Sequence, residues 1–284
     1  MKTNHNRLLG VAKLSLRLSR KYLQPYSCPK SPHKFTQPQL MACLIVRAYM
    51  KTTYRGVIEL LETSDKLRET LGFTELPNYS TLKYFADRSG ILEIVEAMMA
   101  DLAKHFGRDE ETVAVDATGL ETTSASAYFQ MRRGGKRRKY VKLSLCILCG
   151  SMLPAGVVVG WGPSNDKIDA RALLDKSRAV VQPKTLLADA GYDAEWVHQY
   201  CREEWKVKSF IPPAVHRADG GVNGKYRSQM TPTRLKRNGY GTRWIAESFM
   251  SGLKRTTGCM LNARHAAALM VEAAVRVLTY AIRR

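Results

Sequence analysis

Acidic residues are absent from the first 58 residues of this 284-residue chain, although that stretch contains eleven lysines and arginines. Over the whole chain, 45 Lys and Arg outnumber 25 Asp and Glu, which gives a formal net charge of +20. A field of this size attracts polyanions and speeds their encounter with the protein. The charge therefore favours nucleic acid as the partner over an anionic membrane or an unusual assembly.

Cysteine is scarce and poorly spaced for a zinc finger. The chain has six cysteines, of which only Cys146 and Cys149 lie close together. They fall in a strand-like apolar run, where side chains three residues apart face opposite sides. No second Cys or His pair follows at finger-like spacing. We therefore interpret the cysteines as small buried hydrophobic residues in a reducing, intracellular setting rather than as zinc ligands.

Long apolar runs are also lacking. The first twenty residues are basic and interrupted by polar residues, unlike a signal peptide. The uncharged stretch 143–161 approaches membrane length, but it contains Gly150, Pro154, Gly156 and Gly160. We interpret it as two buried strands around a turn, and we expect no membrane partner and a cytoplasmic location.

The hydrophobic pattern changes character near residue 108. Residues 1–107 have helical periodicity and a basic composition, which predicts a helical N-terminal region that binds DNA or, alternatively, a plain helical cap. Residues 108–284 alternate strand-like and helical segments, with a basic, glycine-rich loop at 214–238. The predicted strands are 113–116, 140–148, 152–161, 185–189 and 207–211, and the predicted helices are 168–180, 195–205, 243–255 and 265–282. This order predicts an α/β domain with a mixed sheet flanked by helices.

Three acidic residues stand out by their positions in this predicted domain. Asp116 and Asp189 end short apolar strands, where open sheets place their functional sites, and Glu247 lies on a helix. An aspartate at a strand end is often only a turn residue, so each acid alone carries little weight. Three carboxylates that converge would form an oxygen site for Mg²⁺ or Mn²⁺. Two such ions catalyse in-line displacement at phosphorus.

A spaced motif surrounds the third acid. Tyr240, Arg243, Glu247 and Lys254 are separated by two, three and six residues. This pattern resembles the Tyr-Arg-Glu-Lys signature of prokaryotic insertion-sequence transposases of the IS-four/IS-five-like group. The segments Val-Ala-Val-Asp-Ala-Thr-Gly around Asp116 and Leu-Ala-Asp-Ala-Gly-Tyr-Asp around Asp189 resemble the two Asp segments of the same family. The resemblance covers residues 110–280 and extends loosely to the N-terminal region.

The resemblance implies a DDE transposase with an RNase H-like, retroviral-integrase-like catalytic domain. Asp116, Asp189 and Glu247 are then the catalytic residues and the ligands of two Mg²⁺ or Mn²⁺ ions. The implied reaction is cleavage of double-stranded DNA at terminal inverted repeats, followed by transfer of the 3′-hydroxyl into target DNA. A homodimer in the DNA complex and a nucleoid-associated, prokaryotic location are implied as well.

Positive side chains near these acids are candidates for phosphate binding. Arg243 and Lys254 share a helical face with Glu247, and Tyr240 stands at the helix entrance. A surface ion-pair ladder is the alternative for the first two. A basic cluster between the first two strands is expected to hold the DNA backbone, and it comprises Arg132, Arg133, Lys136, Arg137, Arg138 and Lys139.

Two other functions remain open at this point. An RNase H-like nuclease would cut DNA without strand transfer. A regulator derived from a transposase would bind DNA without cutting it.

Overall fold

The computed structural model describes residues 6–30, 32–107, 109–122, 139–214 and 221–284. The chain divides into two compact units. The first comprises residues 1–98 and 252–284, and the second comprises residues 99–251. The boundaries between them fall inside two helices, α6 (Ile91–Phe106) and α10 (Trp244–Thr257). The order of residues in the chain does not predict that residues 252–284 group with the N-terminal region.

The first unit is helical. Its N-terminal helices are α1 (Arg7–Tyr22), α2 (Gln37–Tyr49), α3 (Tyr54–Thr63), α4 (Asp65–Leu71), α5 (Tyr79–Ala86) and the first half of α6. The last helix of the chain, α11 (Ala266–Arg283), also belongs to this unit. Helix α2 begins at a capping box in which Thr36 and Gln39 bind each other's backbone, a strong start signal. Its residues from Leu40 to Ala48 are all buried, which makes α2 the centre of this unit.

A buried ionic cluster lies in the same helical core. Glu272 on α11 accepts hydrogen bonds from Arg276 at 2.8 Å and from Arg47 on α2 at 3.4 Å. Its other oxygen accepts backbone N–H bonds from Asn262 and Ala263. Glu272 is therefore the counter-charge that two buried guanidinium groups share, and its second oxygen fixes the segment that leads into α11.

The second unit is built on a five-stranded sheet. The strands are β1 (Thr112–Glu121), β2 (Tyr140–Leu148), β3 (Pro154–Gly162), β4 (Thr185–Ala188) and β5 (Lys208–Phe210). Their order is β3-β2-β1-β4-β5, with β1, β2 and β3 antiparallel and β4 and β5 parallel to β1. Helix α7 (Asp166–Arg178) connects β3 to β4. This arrangement confirms the predicted α/β class and is the RNase H-like topology.

The strand register brings two of the predicted acids together. Val115 pairs with Ala188 across the parallel β1–β4 pair, so Asp116 and Asp189 follow as neighbours at the same edge. The prediction that Asp116 ends its strand was wrong, since β1 continues to Glu121 along its antiparallel partner β2. Asp116 instead stands where the parallel neighbour stops, which still opens one side of it to a site.

Two other segments differ from their predicted forms. The predicted helix 195–205 is α-helical only as α8 (Glu195–Gln199) and continues as a π-helix at Tyr200–Glu204. The segment 214–238 is not wholly loop, because it contains a short helix, α9 (Pro232–Arg237). Thr231 caps this helix and its first residue is proline, a pattern that favours helix initiation.

A histidine lies buried beneath β5. The ring nitrogen Nδ1 of His198, on α8, is 2.7 Å from the hydroxyl of Ser209 on β5. Burial and the charge of Arg202 lower the pKa of His198 from 6.5 to about 4, and the opposing effect of Asp193 is smaller. The imidazole is therefore neutral in the folded protein near neutral pH.

We expect His198 to make the fold sensitive to acid. The unfolded chain takes up a proton near pH 6.5 and the folded chain only near pH 4, so stability is full above 6.5 and falls between these values. The loss in the free energy of unfolding that this group causes is up to about 3 kcal/mol. Denaturant unfolding of wild type and His198→Asn at several pH values measures it. His105→Asn, at an exposed histidine, is the control and should keep the wild-type dependence of unfolding free energy on pH. A dependence as steep in His198→Asn as in wild type would contradict this assignment.

Across the part of the chain that the structure describes, no helix combines the length and hydropathy that a membrane crossing requires.

Candidate active site

Asp116 projects from the middle of β1 and is the most enclosed of the three predicted acids, with 16% of its side chain exposed. One carboxylate oxygen accepts the Ala117 N–H at 2.8 Å and the other lies 3.2 Å from Nη1 of Arg243. Burial raises the pKa of Asp116, and the negative charges of Asp189 and Glu247 add to this effect. The raised pKa marks a carboxylate that would gain from a nearby cation.

Asp189 follows β4 and caps the short 3₁₀ helix Ala190–Tyr192. Its Oδ1 accepts the backbone N–H of Gly191 at 2.9 Å, which orients the carboxylate. Burial raises its pKa, and Asp166 is the neighbouring charge that raises it most. Arg243 acts in the opposite direction on the same group. Asp189 therefore shares one electrostatic environment with Asp116.

Glu247 lies on the first turn of α10 and is the most open of the three acids, with 58% of its side chain exposed. Arg243 stands between Glu247 and Asp116, since its Nη2 donates to Glu247 Oε1 and its Nη1 donates to Asp116. Partial burial lowers the pKa of Arg243, but Tyr240, Asp116 and Glu247 outweigh it and raise the pKa overall. The guanidinium is thus a fixed positive charge bridging two of the three acids.

The remaining residues of the spaced motif lie on the same stretch of chain. The residues Tyr240–Arg243 form a 3₁₀ helix that leads directly into α10. The α-helix therefore begins at Trp244, one residue later than predicted. Partial burial raises the pKa of Tyr240, and Asp189 and Asp116 contribute to the rise. Lys254 is half-buried two turns after Glu247 on α10. Tyr240, Arg243 and Glu247 therefore lie around Asp116 and Asp189, and the helix continues from them to Lys254.

Most of the basic cluster between β1 and β2 lies outside the described residues. This applies to Arg132, Arg133, Lys136, Arg137 and Arg138. Lys139 is described, and its side chain is exposed just before β2 begins. Its carbonyl accepts the hydroxyl of Thr122 at the end of β1, which places this lysine where the two strands separate.

Sequence reasoning missed a second charged group beside these acids. Lys142 on β2 is buried and forms ion pairs with Asp166 at 2.8 Å and Asp169 at 2.9 Å, both at the start of α7. The signal for it was a lone lysine inside an otherwise apolar strand. Sequence reasoning also missed the ion pair between Asp193 and Arg227, whose atoms lie 2.6 Å apart. This ion pair connects the 214–238 segment to the residues that follow Asp189.

The chemistry of these side chains fits a divalent cation. The three predicted acids offer oxygen ligands only, the type that Mg²⁺ and Mn²⁺ prefer. Arg243 already brings a positive charge against two of them. Within the described ranges, however, no three His, Cys, Asp or Glu side chains are grouped as a complete metal site. The arrangement is therefore a set of ligands held near one another, with Glu247 drawn to Arg243.

One of the comparisons with known proteins identifies a family. The family model described as "Transposase DDE domain" matches residues 107–282. The search of curated proteins gives no match. Among solved structures, a cryo-EM structure of the piggyBac transposase synaptic complex with hairpin DNA is similar, with 10% sequence identity and a TM-score of 0.43. That match covers 99% of this chain and 73% of the other.

The family match confirms the resemblance to DDE transposases that the sequence suggested. Membership of the IS-four/IS-five-like group and the Tyr-Arg-Glu-Lys signature remain predictions. The match covers the whole of the sheet, the three acids and α10. The chain belongs to the family defined by the transposase DDE domain.

Proposed function

We propose that this transposase cuts double-stranded DNA at the terminal inverted repeats of a mobile element and joins the freed 3′-hydroxyl to target DNA. The observation that carries the proposal is the register of β1 and β4, which sets Asp116 and Asp189 side by side, with Arg243 linking Asp116 to Glu247. These three acids are the proposed catalytic residues. They are also the proposed ligands of two Mg²⁺ or Mn²⁺ ions.

The bound ions would activate water or a 3′-hydroxyl and stabilise the leaving oxygen in an in-line displacement. The protein side chains supply positioning and charge. Asp116 and Asp189 are held by backbone N–H bonds from Ala117 and Gly191, so their carboxylates are oriented before DNA arrives. Preorganised groups of this kind need little rearrangement during the reaction.

Arg243 has two alternative partners in this proposal. In the structure it binds Asp116 and Glu247. With cations bound to those acids, its guanidinium would be available to a DNA phosphate, which it matches in bidentate geometry. Tyr240, which precedes it in the same 3₁₀ helix, would donate its hydroxyl to a phosphate oxygen. Glu247 would then be able to act as a ligand together with the two aspartates.

Lys254 is proposed to contact a phosphate further along the DNA. We expect Lys254→Gln to weaken binding of all DNA sequences alike and to reduce the slope of log affinity against log salt by about 1. Fluorescence anisotropy over a salt series measures both quantities. Lys66→Gln, at an exposed lysine on α4, is the matched control and should leave the slope unchanged. An unchanged slope in Lys254→Gln would remove this residue from the interface.

The helical first unit is proposed to bind DNA as well. Its residues Lys51, Arg255 and Arg283 line one open basic cleft, together with Tyr49 and Tyr280. Lysine and arginine side chains of this kind neutralise phosphates without reading sequence. Because two ends of an element must be handled together, we propose that the DNA complex contains two copies of the chain.

Cleavage of DNA carrying the element's own ends tests the proposal. The wild-type protein should produce 3′-hydroxyl ends with Mg²⁺ or Mn²⁺ and none with a chelator. Cleavage without any joined product would favour a nuclease of the same fold. Tight binding of the ends that is independent of metal, with no cleavage under any condition, would favour a DNA-binding regulator.

A further inference from the structure

A buried lysine organises the start of α7. The side chain of Lys142, on β2, is only 3% exposed, and its Nζ lies 2.8 Å from Asp166 Oδ1 and 2.9 Å from Asp169 Oδ2. The same ammonium donates to the carbonyl and hydroxyl oxygens of Ser164. Burial lowers the pKa of Lys142, but the two carboxylates outweigh it and raise the pKa overall. Lys142 therefore stays charged and holds one oxygen of Asp166 in place.

The second oxygen of Asp166 faces Asp189. A methyl group built on Gly191 would lie 2.8 Å from Asp166 Oδ2 and 2.9 Å from Asp189 Oδ1. Oxygens of two different carboxylates thus approach a single point beside the glycine. Carboxylate oxygens that converge in this way are the ligands that a divalent cation such as Mg²⁺ prefers.

A buried hydroxyl lies within the electrostatic reach of the same acids. Tyr192, at the end of the 3₁₀ helix, is 2% exposed, and its hydroxyl has no hydrogen-bond partner within the described ranges. The charges that act on it are those of Asp166, Asp116 and Asp189, and the Ser144 hydroxyl is a further neighbour. A buried polar group without a partner costs about 1–3 kcal/mol. With the Ser144 hydroxyl beside it, the Tyr192 hydroxyl has hydrogen-bonding capacity left for a ligand that lies near these acids.

We propose that Asp166 is a fourth carboxylate of the metal centre and binds a divalent cation together with Asp189, while Lys142 holds its other oxygen. The inference rests on the proposed function and extends its ligand set. The available donors are oxygen atoms, which select Mg²⁺ or Mn²⁺ over softer metals. Mg²⁺ usually keeps several of its waters, which gives the buried Tyr192 hydroxyl a partner.

Mn²⁺ binding to the full-length, DNA-free protein tests this assignment without measuring catalysis. Titration followed by electron paramagnetic resonance compares wild type with Asp166→Asn and Gly191→Ala. The alanine keeps every charge, but its methyl group would lie 2.8 Å from Asp166 Oδ2 and 2.9 Å from Asp189 Oδ1, so at least one of these carboxylates must move away. We expect both variants to lower Mn²⁺ affinity by at least about tenfold.

Asp169→Asn is the matched control. Asp169 shares Lys142 with Asp166 and lies on the same helix, but its Oδ2 is taken up by Lys142 and Ser144. The affinity of the Asp169→Asn variant for Mn²⁺ should stay close to that of wild type. An equal loss in Asp169→Asn and Asp166→Asn would show that Asp166 acts only through the lysine, and would overturn the proposal.

The outcome for Asp189→Asn separates this inference from the proposed function. Loss of Mn²⁺ binding in Asp189→Asn, with wild-type affinity in Asp166→Asn and Gly191→Ala, would remove Asp166 from the metal centre and leave the proposed function standing. Unchanged affinity in Asp189→Asn as well would contradict both. If circular dichroism shows Asp166→Asn to be unfolded, wild-type Mn²⁺ affinity in Gly191→Ala would still contradict the proposal, because its methyl group crowds the point that the Asp166 and Asp189 oxygens approach.

Discussion

Replacing Asp189 by asparagine is expected to reduce both DNA cleavage and strand transfer by at least about a thousandfold, the equivalent of about 4 kcal/mol of transition-state stabilisation. Asparagine retains an oxygen that can accept the Gly191 N–H, so the local backbone should be preserved. What is lost is the negative charge beside Asp116. Timed gel assays on end-containing DNA, with Mg²⁺ or Mn²⁺ in excess, measure the rate of each step.

DNA binding separates this effect from loss of the interface. Removal of a carboxylate also removes a charge that repels phosphate, so Asp189→Asn should bind DNA at least as tightly as wild type. Asp109→Asn, at an exposed acid of the same unit, is the matched control and should keep both rates. Rates in Asp189→Asn within a few-fold of the control would place the chemistry elsewhere.

The largest stability effect is expected from Glu272→Gln in the helical unit. The substitution conserves shape but leaves Arg47 and Arg276 buried without a counter-charge. Breaking a buried pair from one side costs about 3–5 kcal/mol, because the remaining charge is uncompensated. Denaturant unfolding followed by circular dichroism measures the change in the free energy of unfolding.

Glu93→Gln on α6 provides the comparison, since that glutamate is exposed. It should change stability by less than about 0.5 kcal/mol. A loss of similar size in both variants would mean that Arg276 is stabilised by the carbonyl oxygens of Gly258 and Met260 rather than by Glu272.

The order of strands and helices in the second unit could be predicted because its signals are local. The strand at 140–148 was predicted with its observed bounds, and the other strands are shifted or resized by a few residues. Short apolar runs and turn residues mark these elements directly. The proximity of Asp116 and Asp189 depends on β1 and β4 being neighbours in the sheet, which the order of the elements alone does not establish, and Asp116 lies in the middle of β1 rather than at its end.

The charged contacts could not be predicted in the same way. Lys142 and Asp166 meet only because β2 and β3 pair in one register and α7 starts just beyond β3. Arg243 was predicted to bind phosphate, and nothing in its spacing indicates that it binds Asp116 in the DNA-free protein. The cluster around Glu272 joins helices more than two hundred residues apart in the chain. Such contacts depend on tertiary packing, which local sequence patterns do not predict.

The central claim is that one site built on Asp116, Asp189 and Glu247 performs transfer of DNA ends. Incubation of pre-cut element ends, which carry free 3′-hydroxyl groups, with target DNA and Mn²⁺ or Mg²⁺ tests it most directly. We predict joined products with wild type, none after chelation and none with Asp189→Asn. Joined products that persist in Asp189→Asn would contradict the account.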